Sequence, residues 1–319
     1  MKQKLYWTMS TFFVFSLAVV YGSDCFRTSV GLTPLIDGPG LYPSGLNTAP
    51  QAHVARGQTI AAALRALPKL ASMSVGMSNT NQYFEAFRRS EETTTDKASN
   101  LVIINGATGK QVSSSWANPN DDVYAYVDEK IFARGATPLD VRVLWVLLTN
   151  AANGGFPYWR EHVKNDTREA LYTIVNKYPN VQLIFMSSMI YGGYNAPQGG
   201  LHPEPYSHEH GIVMKELITE HLNGTLLPDR WIGWGPYMWT DGLKPRSDGL
   251  IWLCGDFVND GCHPSFQGAH KVGDILSSFF RTDPVAKIWF TAAGGPVGDP
   301  GGDPGGGPGG GVRPDQPRR

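Results

Sequence analysis

This 319-residue chain has few cysteines, almost no net charge and few long apolar runs. Only three cysteines occur. If the chain is exported, Cys254 and Cys262 could pair in an oxidising compartment and leave Cys25 over, although two free thiols fit the sequence as well. The formal net charge is −1, and there is no basic stripe for phosphates. The composition therefore points away from a nucleic-acid partner.

The longest apolar run lies at the N-terminus and predicts a secretory signal. Lys2 and Lys4 give a positive start, residues 12–20 are apolar, and the bond after Gly22 or the next one suits cleavage. The run is too short for a membrane span. We therefore expect residues 1–23 to be removed and the protein to be secreted or periplasmic, with no stable membrane insertion afterwards. An uncleaved N-terminal anchor is the alternative.

Composition divides the remaining chain into three parts. Residues 24–54 are rich in Gly, Pro, Ser and Thr and predict an extended arm. Residues 55–291 carry the periodic apolar patterns of a folded domain. Residues 292–319 repeat Gly-Gly-Pro and Gly-Asp-Pro units, which bury too little apolar surface to offset chain entropy, so we expect a disordered tail.

The folded part alternates between strand and helix patterns. The predicted strands are residues 69–75, 101–104, 141–148 and 181–190. The predicted helices are residues 55–68, 81–92, 121–134, 157–178, 209–222 and 266–280, with a mixed segment at 231–239. Strands such as 141–148 are almost continuously apolar, as in a parallel sheet covered on both faces. The pattern predicts a three-layer α/β/α sandwich with a central parallel sheet, and a functional site at the C-terminal ends of its strands.

Two short motifs carry residues for nucleophilic chemistry. Gly76-Met77-Ser78-Asn79 follows an apolar strand and precedes a helical pattern, which suits an exposed nucleophilic serine. In Asp260-Gly261-Cys262-His263, the aspartate can bond one imidazole nitrogen and leave the other to act as a base. A serine hydroxyl needs such a base before it can attack. Each motif also has a purely structural interpretation: Ser78 could cap the helix that starts near Asn79, and His263 could be a structural histidine.

Taken in order, Ser78, Gly109, Asn150 and His263 resemble the four signature residues of the SGNH hydrolases, the GDSL-type esterases. The resemblance covers roughly residues 70–280. It implies that Ser78 is the nucleophile, that His263 is the base and that Asp260 orients His263. It also implies an oxyanion hole made of the Ser78 and Gly109 amides and the Asn150 side chain, and it implies no cofactor and no metal.

The nucleophile motif is closer to the Gly-x-Ser-Asn form of carbohydrate acetylesterases than to Gly-Asp-Ser-Leu. This likeness implies a serine esterase that acts on small-acyl, acetyl-like esters, possibly of carbohydrates. The block around Asn150 departs most from the family pattern, because the usual glycine and the following aspartate are missing. Asn153 is a substitute for Asn150. Asn79, Trp234 and Tyr237 are further candidates for substrate contact.

Three other interpretations of the sequence stay open. The aromatic run at residues 231–239 predicts either core packing or a sugar-stacking wall, so a non-catalytic carbohydrate-binding protein on the same scaffold is one alternative. A metal-dependent hydrolase that uses the cluster from His202 to His210 is another, although that segment predicts a flap or a solvated loop more readily. A cell-envelope interaction protein whose Gly/Pro tail is the functional part is the third.

Overall fold

The structure, a computed structural model, describes residues 29–151, 155, 158–195 and 201–293. The predicted signal segment and nearly all of the predicted tail lie outside these residues. In the described part, no helix is both long enough and apolar enough to cross a membrane.

A five-stranded parallel sheet forms the centre of the molecule. Its strands are Leu70–Gly76 (β1), Leu101–Ile104 (β2), Val141–Leu147 (β3), Leu183–Met186 (β4) and Trp231–Trp234 (β5). Nearly every strand residue is buried, as continuous apolar runs require in a sheet covered on both faces.

Eight α-helices accompany the sheet in the described residues. They are Gln51–Arg65 (α1), Ser78–Glu92 (α2), Ser113–Ala117 (α3), Val123–Ala133 (α4), Tyr158–Lys177 (α5), Tyr206–Leu222 (α6), Phe266–Thr282 (α7) and Ala286–Phe290 (α8). Helix α2 packs on α7 and helix α1 on α8, while α5 packs on α3 and α6. The predicted three-layer α/β/α sandwich with a parallel sheet is confirmed.

The strand order β2-β1-β3-β4-β5 decides where a site can form. The chain leaves β1 towards β2 on one side and later returns to β3 on the other, so the order reverses beside the end of β1. A crevice opens at such a switch point in parallel α/β sheets. Gly76 at the end of β1 is paired with Leu147 at the end of β3. An added Cβ at Gly76 would lie only 2.4 Å from the Leu147 carbonyl oxygen, so the close approach requires glycine.

Several element bounds differ from the sequence prediction. Helix α2 begins at Ser78 rather than Asn81, because extended Met77 is its N-cap and accepts the Asn81 amide at 2.8 Å. Strand β4 is shorter than residues 181–190, because the chain after Met186 turns to other partners. The Ser188 hydroxyl there accepts the Met238 amide at 2.7 Å.

The outer edge of β5 is closed by side chains. The Ile232 amide donates to Nε2 of His221 at 3.2 Å, and Nε2 of His53 donates to the Ile232 carbonyl at 3.0 Å. The Trp234 amide donates to the Tyr42 hydroxyl at 3.4 Å. Tyr42 belongs to the segment predicted as an extended arm, which here packs into the common core. The Ile232 amide and carbonyl and the Trp234 amide, which face away from β4, are thus hydrogen-bonded.

Candidate active site

Ser78 lies where β1 gives way to α2. It is the first residue of the helix, and its side chain makes no capping hydrogen bond because Met77 is the N-cap. Instead, the Ser78 hydroxyl lies 2.8 Å from Nε2 of His263, a residue 185 positions further along the chain. The capping interpretation of Ser78 is therefore wrong.

His263 is held by the aspartate three residues before it. Nδ1 of His263 donates to Oδ2 of Asp260 at 2.6 Å, which leaves the lone pair on Nε2 facing Ser78. The other carboxylate oxygen of Asp260 accepts the amides of Cys262 at 2.8 Å and His263 at 2.9 Å. The Asp260 carboxylate thus fixes both the ring and the backbone of the histidine.

The charge on Asp260 is stabilised by the same hydrogen bonds. Partial burial would by itself raise the pKa of Asp260, but the hydrogen bonds from the His263 ring and from the two amides outweigh it and hold that pKa below its usual range. Asp260 therefore remains a carboxylate at neutral pH, which is the form that accepts the proton on Nδ1 of His263.

The loop that carries Asp260 and His263 is braced on two sides. Gly261 has a φ of +66°, and an added Cβ there would lie 1.9 Å from the Tyr194 carbonyl oxygen. A glycine is therefore needed both for the turn and for the close approach. On the opposite side, Nδ2 of Asn79 donates to the Cys262 carbonyl at 2.9 Å. The side chain of Asn79, a predicted substrate contact, is buried here against protein groups.

Gly109 lies beside Ser78, as a shared oxyanion hole would require. A Cβ added to Gly109 would come 4.0 Å from the Ser78 Cβ. Ser78 begins a 15-residue helix, where the first amides have no partner within the helix and the helix dipole is positive. The structure thus makes Gly109 and Ser78 neighbours, and the role of their amides as oxyanion donors stays a prediction.

Asn150 follows β3 at the same edge of the sheet but is bonded to other groups. Its Nδ2 donates to Asp166 on α5 at 2.6 Å, and its Oδ1 accepts the Ser114 amide on α3 at 3.3 Å. Its role as an oxyanion donor stays a prediction. The substitute, Asn153, lies outside the described residues. The Asp166 partner could not be found from the sequence, since no local spacing links it to Asn150.

Trp234 and Tyr237 are hydrogen-bonded to the N-terminal segment. The Trp234 indole donates to the Leu41 carbonyl at 2.8 Å, and the Tyr237 hydroxyl accepts the Leu35 amide at 3.1 Å. Both rings line a cavity of about 810 Å³ between the N-terminal segment, β5 and α7, and none of the residues that line it belongs to the Ser78–His263–Asp260 relay. Strand β5 is three strands from β1, or roughly 14 Å at the usual spacing. The role of Trp234 and Tyr237 as substrate contacts stays a prediction.

The histidines between residues 202 and 210 are buried rather than placed on a solvated loop. His208 and His210 lie in the first turns of α6, which begins at Tyr206. Nε2 of His208 donates to the Thr33 carbonyl at 3.0 Å, and Nε2 of His210 donates to the Leu148 carbonyl at 2.7 Å. Among the described residues, no group of three or more His, Cys, Asp or Glu side chains could hold a metal ion.

The possible pairing of Cys254 with Cys262 does not occur. Cys254 is disulfide-bonded, whereas Cys262 is a buried free thiol. Burial, with a smaller contribution from the nearby Asp260 carboxylate, raises the pKa of Cys262 to about 11. Spacing alone could not decide the pairing, because it depends on which backbones approach each other in the folded state.

Comparison with known proteins adds little to this geometry. No family model matches the chain, and no curated protein does. Among solved structures, the chain is similar to the periplasmic domain of a lipopolysaccharide acetyltransferase from Salmonella ser. Paratyphi A. The two share 9% identity at a TM-score of 0.36, over 72% of this chain and 88% of that chain. Any activity assigned to this protein therefore rests on its own residues.

Proposed function

We propose that this protein is a serine ester hydrolase of the SGNH type that works through an acyl-enzyme. The observation that carries the proposal is the continuous relay from Ser78 to Asp260. The hydroxyl of Ser78 lies 2.8 Å from Nε2 of His263, whose Nδ1 lies 2.6 Å from Asp260. Nucleophile, base and orienting carboxylate are thus within hydrogen-bond reach of one another, which is the arrangement that activates a serine.

In the first half-reaction, Ser78 Oγ attacks the ester carbonyl carbon as its proton passes to Nε2 of His263. The carbonyl oxygen becomes an oxyanion, and the proposed donors to it are the Ser78 amide at the start of α2 and the Gly109 amide in the loop after β2. Each fixed donor of this kind is worth about 3 to 4 kcal/mol of the barrier. When the tetrahedral intermediate collapses, the bond to the alcohol oxygen breaks and His263 gives its proton to the leaving alcohol.

In the second half-reaction, water replaces the alcohol. His263 takes a proton from the water as the water oxygen attacks the acyl carbon. The intermediate then breaks the bond to Ser78 Oγ, which recovers its proton from His263. The products are a carboxylic acid and the free serine, and Asp260 stays ionised throughout.

The acyl group in this proposal is small and acetyl-like, and the alcohol is a carbohydrate. Support comes from the Gly-x-Ser-Asn motif at residues 76–79, the form found in carbohydrate acetylesterases. The N-terminal signal pattern supports action outside the cytoplasm, on an envelope or extracellular ester.

The first test is hydrolysis of p-nitrophenyl acetate by the purified full chain, with and without a chelator. Ser78→Ala should lower kcat by roughly 10⁴-fold or more, because both the nucleophile and the relay are lost. Ser90→Ala changes an exposed serine at the other end of α2 and is the matched control. A series from acetate to octanoate then tests acyl length, with the highest kcat/KM expected for acetate.

Three outcomes would overturn the proposal. Full activity in Ser78→Ala would show that Ser78 is not the nucleophile. Loss of activity with the chelator alone would point to a metal-dependent hydrolase. Sugar binding without turnover, and without labelling of Ser78 by a serine-reactive phosphonate, would instead indicate a carbohydrate-binding protein.

A further inference from the structure

Asn79 directly follows the proposed nucleophile, yet its side chain points away from solvent. It is 2% exposed. Its Nδ2 donates to the Cys262 carbonyl at 2.9 Å and to the Tyr83 hydroxyl at 3.3 Å. Because a carbonyl can only accept, the contact with Cys262 also fixes which end of the Asn79 amide is the nitrogen.

The accepting carbonyl belongs to the peptide that joins Cys262 to His263. The N–H of that same peptide is the His263 amide, which donates to Asp260 Oδ1 at 2.9 Å. The two polar ends of one peptide unit are therefore held by Asn79 and by Asp260. This peptide carries the Cα of His263, so its orientation sets where the imidazole ring can reach.

We infer that Asn79 is a positioning residue, which holds the loop of the catalytic base against the nucleophile's own helix. Ser78 and Asn79 are consecutive residues of α2, so any displacement of α2 carries the nucleophile and this contact together. The hydrogen bond from Asn79 to Cys262 thereby keeps the 2.8 Å distance between Ser78 Oγ and His263 Nε2. The inference rests on the proposed function, and it replaces direct substrate contact as the role of Asn79.

A donor is needed at this position for the inference to hold. Leucine, which follows the serine in the Gly-Asp-Ser-Leu form of the motif, fills similar space but cannot donate a hydrogen bond. Aspartate has nearly the shape of asparagine but would place carboxylate oxygens against the Cys262 carbonyl. Both variants therefore remove the contact with the Cys262 carbonyl. Asn79→Leu has no polar group there, and Asn79→Asp replaces the donor with an acceptor.

The control removes the second acceptor of the same Nδ2 group. Tyr83→Phe deletes the hydroxyl that Asn79 also contacts and leaves the Cys262 contact in place. A role for Asn79 in satisfying buried polar groups predicts similar effects for Tyr83→Phe and Asn79→Leu. A positioning role predicts that only the Asn79 variants change the chemistry.

The experiment combines kinetics with nuclear magnetic resonance of the full chain. Misplacement of a reacting group by about 1 Å can cost about 100-fold, so we expect Asn79→Leu and Asn79→Asp to lower kcat about 10- to 100-fold with KM within about twofold. Tyr83→Phe should keep kcat within about twofold. The proton on Nδ1 of His263, shared with Asp260, should give a downfield resonance that is kept in Tyr83→Phe and is shifted or broadened in both Asn79 variants.

The resonance is independent of turnover, so it separates this inference from the proposed function. If the wild-type chain hydrolyses no ester, a changed His263 resonance in the Asn79 variants still supports the positioning role. The inference is overturned if Asn79→Leu keeps both kcat and the His263 resonance. It is also overturned if Tyr83→Phe lowers kcat and changes the resonance as much as Asn79→Leu does.

Discussion

The carboxylate of Glu91 is buried where α2 packs against α7, and Arg281 on α7 neutralises it. Glu91 has a side-chain exposure of 1%. Its oxygens accept from Nη1 and Nη2 of Arg281 at 2.7 and 2.8 Å and from the Ser277 hydroxyl at 2.7 Å. Replacing Arg281 by methionine keeps the apolar stem but leaves a buried, unpaired charge. Breaking a buried pair costs 3–5 kcal/mol, and because Arg281 is 24% exposed we expect about 3 kcal/mol.

The free energy of unfolding that Arg281→Met loses should depend on pH in a defined direction. Burial alone would raise the pKa of Glu91, but the hydrogen bonds from Arg281 and Ser277 outweigh it and lower that pKa. In the wild type the pair therefore stabilises the fold above the unfolded-state pKa of Glu91, and this contribution is lost as the pH falls. In Arg281→Met, burial prevails and raises the pKa of Glu91, so the variant loses stability as the pH rises. The difference from wild type must be larger at pH 8 than at pH 5.

Urea unfolding of the wild type and variants at the two pH values measures these quantities. Glu91→Gln combined with Arg281→Met removes the buried charge and should recover most of the lost free energy of unfolding. Arg89→Met is the matched control, because Arg89 is 71% exposed and pairs with Glu85 on the surface. The reasoning is refuted if Arg281→Met costs less than about 1 kcal/mol, or if its cost is equal at pH 5 and pH 8.

Two further predictions concern the loop of the catalytic base. Asp260→Asn should lower kcat roughly 10²- to 10⁴-fold, because an amide opposite Nδ1 of His263 favours the tautomer that cannot accept the Ser78 proton; kcat for p-nitrophenyl acetate that stays at the wild-type value would contradict this. The Cys262 thiol, whose pKa burial raises to about 11, should resist iodoacetamide at pH 8 until urea is added. Mass spectrometry that finds complete alkylation of Cys262 in the native protein would show the burial to be wrong.

The fold could be predicted because the apolar patterns that define strands and helices lie within short stretches of sequence. Continuous apolar runs marked the buried strands, and β2 has the bounds that the sequence predicted. Strand β5 appeared only as a mixed segment, because its four residues include a glycine and two tryptophans with no alternation. Helix α3 was missed because its five residues are mostly serine and too few to show a period.

The part of the candidate site that depends on neighbours in the sequence was also predictable. The spacing from Asp260 to His263 is local, and the structure joins the two side chains as that spacing suggested. The contact of Asn79 with Cys262 and that of Asn150 with Asp166 arise only when distant segments pack together. Polar side chains such as these leave no period in the sequence, so their partners had to come from the structure.

The closed edge of β5 has a consequence for self-association. An edge strand with unpaired backbone groups is a template on which a second chain can add a strand. At β5 the outward groups of Ile232 are already taken by His53 and His221. Burial lowers the pKa of both imidazoles, that of His53 to about 4, so His53 stays neutral in mildly acidic surroundings. A second chain cannot pair with Ile232 while these two bonds hold, and acid strong enough to protonate His221 removes the acceptor that holds the Ile232 amide.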